Sequence, residues 1–329
     1  MGSSSALAEP DFVRNARPRV EAALRASVQA DDAFLTEVSS HLIVAGGKRV
    51  RPLFAVASAA VDSAEPLVSD DAVRGGVAVE LVHLGSLYHD DVIDEAVTRR
   101  TVESVNARWG NLTAILAGDF LLAKASEIAA SLGTEVAGLL AATIGRLCEG
   151  EVGELRSAYD VERTEAAYLE SIKGKTAALF ATACRIGALV GGLPRDAVDA
   201  LTRYGEAYGI AFQIVDDVLD VVASEEELGK PAGHDLVEGV YTLPVLRALD
   251  AQRELRERLG RPLDGLQLDE ALSVVRADGA VDAALSTARE YAQRAVIALA
   301  PLGDTTATVW LASATDSLFA RVDAIHSTD

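Results

Sequence analysis

The chain has 329 residues, half of them apolar and 5% aromatic. That suffices for a large hydrophobic core and is too long for a small stapled module. Fifty acidic side chains against 30 basic ones leave a net charge of −20, which sets aside nucleic acid and anionic lipid as partners. The same field repels anionic ligands, so a phosphate-bearing ligand needs a local cluster of Lys and Arg. Cys148 and Cys184 form no CxxC or Cys/His cluster, which argues against a zinc site or a disulfide framework and for a reducing cytoplasm.

Residues 1–10 read as a polar lead, expected to be disordered or tag-derived, without the basic-then-apolar pattern of a signal peptide. No window approaches the roughly 20 uncharged apolar residues of a membrane span, so no integral membrane segment is expected. Apolar residues recur at i, i+3, i+4 and i+7, and alternating strand patterns are almost absent. Punctuated by nine prolines, this periodicity predicts helices near 12–29, 32–45, 51–63, 69–95, 111–131, 134–158, 164–190, 194–222, 242–259, 278–300 and 304–325. Connections are short apart from the polar segment 223–241, and nothing reads as a linker between domains. The expectation is an all-α fold, a single domain over 1–329.

Two nearly identical pentapeptides, DDVID at 90–94 and DDVLD at 216–220, each close a long apolar helix. On a helix, Asp90 and Asp94 share one face a turn apart, with Asp91 beside them. Val92 and Ile93 are expected to face the core. Carboxylates so placed repel one another, and a hard divalent cation with all-oxygen ligation, magnesium or calcium, resolves the repulsion. An EF-hand is excluded, because the glycine at loop position 6 and the glutamate at 12 are missing. Asp216, Asp217 and Asp220 repeat the pattern, with Gln213 just upstream. Two such ridges could chelate several magnesium ions around one diphosphate.

Cations complete the set. The segment GGKRVRP at 46–52 places Lys48, Arg49 and Arg51 between a Gly-Gly helix stop and Pro52, where side chains and new helix N–H groups would converge on one anion. It lacks the GxxxxGK[ST] of a Walker A loop. Arg99 and Arg100 follow the first Asp motif, Lys230 follows the second, and Lys175-Thr176 is a weaker candidate. His83 lies two turns before Asp90, on the same face.

Together, GGKRVRP, ELVHLGSLYHDDVIDEAVTRR, AILAGDFLL, GKTAALF, AFQIVDDVLD and LGKPAGHDLVEGVYTLP resemble the trans-isoprenyl diphosphate synthases of the polyprenyl synthetase family, in family order from about His41 to Pro244. The resemblance implies an orthogonal bundle of long helices around a deep apolar cavity, usually a homodimer. It implies that Lys48, Arg51, His83 and Arg100 hold isopentenyl diphosphate. Asp90, Asp94, Asp216 and Asp220 would bind two or three Mg2+ ions, with Asp91 and Asp217 supporting them. Arg99, Lys175, Thr176, Gln213 and Lys230 would contact an allylic diphosphate, with Lys175 and Lys230 counted with the Asp motifs as catalytic. Ionisation of the allylic diphosphate, attack by the alkene and loss of a proton need no protein nucleophile, which fits the absence of any Ser-His-Asp or Cys-His signature. Two departures stand out: Val240 where many relatives carry lysine, and Thr101 where glycine commonly follows the arginine pair.

Gly85 and Ser86, one turn above Asp90, are candidates for the floor that limits product length. Their small side chains predict a medium or long all-trans product, hexaprenyl to decaprenyl, such as a quinone side-chain precursor. The alternatives are a short-chain farnesyl or geranylgeranyl diphosphate synthase, or a non-catalytic subunit of a heteromeric synthase. A terpene cyclase would have no use for GGKRVRP.

Overall fold

The computed structural model describes residues 9–63, 66–223, 232–277 and 279–326. Most of the polar lead and residues 224–231 of the polar stretch, Lys230 among them, lie outside the described residues. Among the described residues the fold is all-α apart from one two-stranded hairpin. Its helices are α1 Asp11–Ser27, α2 Ala33–Val44, α3 Val50–Ser58, α4 Asp70–Ile93, α5 Val105–Trp109, α6 Asn111–Ser131, α7 Thr134–Arg156, α8 Glu165–Ile172, α9 Ala178–Val190 and α10 Arg195–Val222. After these come α11 His234–Glu238, α12 Leu243–Ala251, α13 Arg253–Arg258, α14 Gly265–Ala277, α15 Ala280–Leu299, α16 Thr306–Asp316 and α17 Ala320–His326. A π-helical turn, Lys173–Ala177, joins α8 to α9. Among the described residues no helix is long and apolar enough to cross a membrane.

The chain clusters into two compact units. The first contains residues up to Ile144, Leu179–Thr202 and Leu299–Ser313; the second contains Gly145–Ala178, Arg203–Ala298 and the residues from Ala314.

In the first unit α4 packs against α1, α3 and α6. Its start follows from sequence: the Ser69 hydroxyl accepts from the Ala72 N–H, and Asp70 and Asp71 occupy the positive end of the helix. Residues from Gly75 to Val82 are buried without interruption, so this part of α4 is enclosed all round rather than along one stripe. Gly187 of α9 lies so close to α3 that a Cβ there would stand 2.0 Å from the Ala55 carbonyl oxygen. The rings of Phe54, Phe180 and Trp310 fill the space beside that contact, with centroids 5.8 Å apart in each of the pairs Phe54–Phe180 and Phe54–Trp310.

The second unit has its own core, in which Tyr168, Ile172, Ile214, Val218, Leu236, Leu243, Leu246 and Leu272 are almost fully enclosed. The expected helices 242–259 and 304–325 are each broken, at Gln252 and after Asp316. Helix α14 was not expected at all, because its stretch carries acidic residues within an otherwise moderate apolar pattern.

Candidate active site

The first acidic motif closes α4, where Asp94 is the C-cap and no basic residue lies in the last turn. Three carboxylates therefore sit beside one another at the negative end of the helix dipole, where a cation is favoured. Asp90 is half-buried and Asp94 is exposed, whereas Asp91 is wholly buried. This corrects the expectation that Ile93 faces inward, since it is 45% exposed, while Val92 is half-buried. The reason lies in the hairpin that follows the helix, with β1 Thr98–Arg99 paired to β2 Val102–Glu103. It folds Arg99 back so that its Nε donates to Asp91 Oδ1 at 2.6 Å. Asn106 of α5 donates to the Asp91 carbonyl at 2.8 Å. Burial pushes the Asp91 carboxyl pKa up, and the Arg99 charge and hydrogen bond oppose it. Its Oδ2 is buried with no hydrogen-bond partner among the described residues.

The two residues of the hairpin loop both have positive φ, Arg100 at 53° and Thr101 at 66°. A two-residue loop with φ positive at both positions favours glycine and asparagine, so a β-branched threonine there is strained. Thr101 thus departs from the expected glycine at a position where the backbone is left-handed. Arg100 uses this turn to donate to the carbonyls of Leu42, at 3.2 Å, and Gly46.

The three cations of GGKRVRP are sorted by the structure. Lys48 is exposed, and its carbonyl accepts from Arg17 at 3.0 Å. Arg49, expected to face the same anion, is instead 3% exposed, bonded to Glu21 at 2.7 Å, Glu80 at 3.0 Å and the Ile43 carbonyl at 3.0 Å. Its φ of 51° at the N-cap of α3 turns it inward, while Arg51 lies in the first turn of the helix. Arg51 lies over the Phe180 ring, 4.3 Å from its centroid. His83 is half-buried among these cations; burial, then the charges of Arg51, Arg100, Arg49 and Arg99, hold its pKa well below the usual histidine range. The imidazole is therefore neutral near pH 7.

That placement has a consequence for stability. Below about pH 6.5 the unfolded chain takes up a proton at His83 that the folded chain refuses, so stability falls as pH falls, by up to ~1.4 kcal/mol per pH unit. Thermal unfolding of the wild type should weaken more between pH 7.5 and 5.5 than that of His83→Gln. Equal losses in the two proteins would remove this account.

Gly85 is buried, and a Cβ there would stand 3.1 Å from the Gly118 carbonyl oxygen and 3.3 Å from Leu122 of α6. Its small size therefore permits close packing of α4 on α6. Ser86 donates from its hydroxyl to the His83 carbonyl at 2.9 Å.

In the second unit Asp216 is exposed, while Asp217 and Asp220 are each 4% exposed. Asp217 is held on both oxygens: the Tyr168 hydroxyl donates to Oδ2 at 2.5 Å and the Gln213 amide to Oδ1 at 2.8 Å. The Thr176 hydroxyl in turn donates to Gln213 Oε1 at 2.6 Å. Burial pushes the Asp217 pKa up to about 7, against the hydrogen bonds from Tyr168 and Gln213. The Asp220 carboxylate accepts from the Asp235 N–H at 3.2 Å, and its carbonyl from the Gly233 N–H at 2.8 Å.

Lys175 and Thr176 lie in the π turn. A Cβ on Gly150 of α7 would stand 2.5 Å from the Lys175 nitrogen, so only glycine permits this approach. Lys175 bonds Glu151 at 2.8 Å and Glu154 at 2.6 Å, and these carboxylates raise its pKa despite burial. The expected allylic-phosphate set is thus gathered in part: Thr176 and Gln213 share one network with Asp217, Lys175 is engaged by two glutamates, and Arg99 is engaged by Asp91. Tyr168, Glu151 and Glu154 escaped the sequence reading. The i, i+3 spacing of the glutamates was a usable signal; a single tyrosine at core spacing was not.

Among the described residues no three His, Cys, Asp or Glu side chains converge closely enough to hold a metal ion unaided. The donor set still fits magnesium: all ligands are oxygen, and one buried Asp91 oxygen lacks a partner. Diphosphate oxygens would complete the shell.

A polyprenyl synthetase family model matches residues 32–275. The chain is 39% identical over 315 residues to a nonaprenyl diphosphate synthase of Mycobacterium tuberculosis, which covers 94% of this chain and 93% of that one. Among solved structures, a decaprenyl diphosphate synthase of Rhodobacter capsulatus superposes with TM-score 0.87 at 36% identity, covering 94% of this chain and 97% of the other. A geranylgeranyl pyrophosphate synthase of Corynebacterium glutamicum, solved with calcium and isoprenyl diphosphate, gives TM-score 0.83 at 37% identity, covering 96% and 98%.

Proposed function

Because this chain belongs to the polyprenyl synthetase family, we propose that it is a magnesium-dependent prenyltransferase, condensing isopentenyl diphosphate with an allylic diphosphate into a medium- or long-chain all-trans polyprenyl diphosphate. The observation that carries the reading is the crowding of carboxylates at the unbalanced negative ends of α4 and α10, with no basic residue in either last turn. Carboxylates grouped at the negative end of a helix repel one another, and a bound cation relieves that repulsion. When bound, magnesium supplies neutralisation of the departing diphosphate.

The chain's own residues do the rest. Asp90, Asp94, Asp216 and Asp220 hold the ions. Lys48, Arg51, His83 and Arg100 receive isopentenyl diphosphate, and the neutral imidazole of His83 can donate to a phosphate oxygen without adding charge. Lys175, Thr176, Gln213 and Lys230 receive the allylic diphosphate; for Lys175 this requires release from Glu151 and Glu154. The apolar core keeps water from the allylic cation.

A homodimer is part of the reading. Leu112 and Leu116 of α6 are 73% and 57% exposed, a turn apart, with Ile115 beside them at 41%. A second copy would cover this ridge, and light scattering on the purified chain reads the outcome. Cytoplasmic location fits the two unpaired cysteines, Cys148 exposed and Cys184 buried.

The test is condensation by the purified chain with magnesium, isopentenyl diphosphate and a geranyl or farnesyl primer, with products separated by chromatography. Products of 30 to 50 carbons are expected. Products of 15 or 20 carbons would place it with the short-chain enzymes, and no condensation with any primer would defeat the reading.

A further inference from the structure

Both acidic motifs divide their aspartates in the same way. The first of each, Asp90 or Asp216, is reachable from solvent, while the second, Asp91 or Asp217, is buried and held by donors from another element. In the second motif this division is most complete, since both Asp217 oxygens carry protein hydrogen bonds. An aspartate so engaged acts as an anchor for the helix that bears it.

The donor that closes the anchor is Tyr168. Its ring is 1% exposed in the core of the second unit, so its hydroxyl has one fixed direction, toward Asp217 at 2.5 Å. The guanidinium of Arg163, 6% exposed, lies 5.6 Å from the centroid of that ring and donates to the Tyr241 carbonyl at 3.2 Å. Tyr168 is thus clamped from behind, and the strand of contacts continues through Asp217 to Gln213 and Thr176. Tyr168 of α8 and Gln213 of α10 meet at one carboxylate, and Thr176 of the π turn joins them through Gln213.

We propose that Tyr168 is a positioning residue, acting through Asp217 to fix the face of α10 on which Asp216 is presented to a magnesium-bound diphosphate. The proposal rests on the prenyltransferase reading for its ligand but not for its geometry. Partners one step behind a metal ligand set its orientation, and their loss typically lowers metal affinity by about tenfold or more.

The test uses the full chain and inorganic diphosphate as the probe. Magnesium is titrated calorimetrically into wild type, Tyr168→Phe, Asp217→Asn and the double variant, each with diphosphate present. Circular dichroism melts run alongside confirm folding. Tyr168→Phe is expected to raise the magnesium midpoint about tenfold, with the Michaelis constant for isopentenyl diphosphate unchanged. Adding Tyr168→Phe to Asp217→Asn should raise the midpoint no further.

An unchanged midpoint in folded Tyr168→Phe overturns the proposal. So does a lower one, which would mean that the hydroxyl merely competes with metal for Asp217. Should Tyr168→Phe fail to fold, Asp217→Asn alone decides, because an unchanged midpoint there overturns a role through Asp217. A wild type that binds magnesium diphosphate yet condenses nothing sinks the prenyltransferase reading and leaves this one standing. A wild type that binds no magnesium diphosphate sinks both.

Discussion

Asp216→Asn and Asp90→Asn should each lower kcat by about a thousandfold, the equivalent of ~4 kcal/mol of lost charge stabilisation at a departing diphosphate. Each replacement removes the accessible carboxylate of its motif and leaves the buried anchor in place. The same replacements should leave the fold intact or stabilise it by a few tenths of a kcal/mol. One like-charge neighbour at i, i+4 disappears, and one negative charge leaves the negative end of a helix dipole. Activity and stability therefore move in opposite directions, which separates loss of a ligand from damage to the fold. Steady-state rates over a magnesium series, with denaturant unfolding of the same samples, check both halves. A variant that kept more than a tenth of wild-type kcat at saturating magnesium would contradict the role given to that aspartate.

The other large effect falls on stability. Arg49→Met should destabilise the chain by about 3–5 kcal/mol, because it strands Glu80, itself 2% exposed, without its cation. Glu21 is 33% exposed in its side chain and can turn toward water; Glu80 cannot. The double variant Arg49→Met with Glu80→Gln should recover a good part of the loss, since a buried neutral amide costs far less than a buried charge. Urea unfolding of the three proteins measures it. If Arg49→Met alone unfolds within 1 kcal/mol of wild type, the buried pair is not holding the segment between α2 and α3.

Arg49 also shows where sequence stops informing. Lys48, Arg49 and Arg51 are near-equivalent letters, and nothing local says which one turns inward. That is decided by a left-handed backbone at one residue and by Glu21 and Glu80, 28 and 31 positions away in the chain. The 24-residue α4 and its acidic end were legible because capping, apolar content and the absence of a breaker all agree locally. Which of two adjacent aspartates faces the core was not legible, because Asp91 is buried only by virtue of a partner that a hairpin returns to it. Gly85 was ambiguous for the opposite reason: a small side chain looks the same whether it faces a cavity or another helix. Tyr168 gave no signal, since its hydroxyl matters only once the neighbouring helices exist.

The π turn at Lys173–Ala177 has a further bearing on what inheritance must preserve in this chain. A π turn is an α-helix that has accepted one extra residue, closing i to i+5 instead of i to i+4. Loss of a single residue from this stretch would restore ordinary helix and swing Lys175 and Thr176 through about 100°. Lys175 would leave Glu151 and Glu154, and Thr176 would leave Gln213, with every side chain still present. Residue count between Thr164 and Ala178 is therefore under tighter constraint than residue identity at an exposed position such as Ala166. A one-residue gap there would be a more serious change than many substitutions.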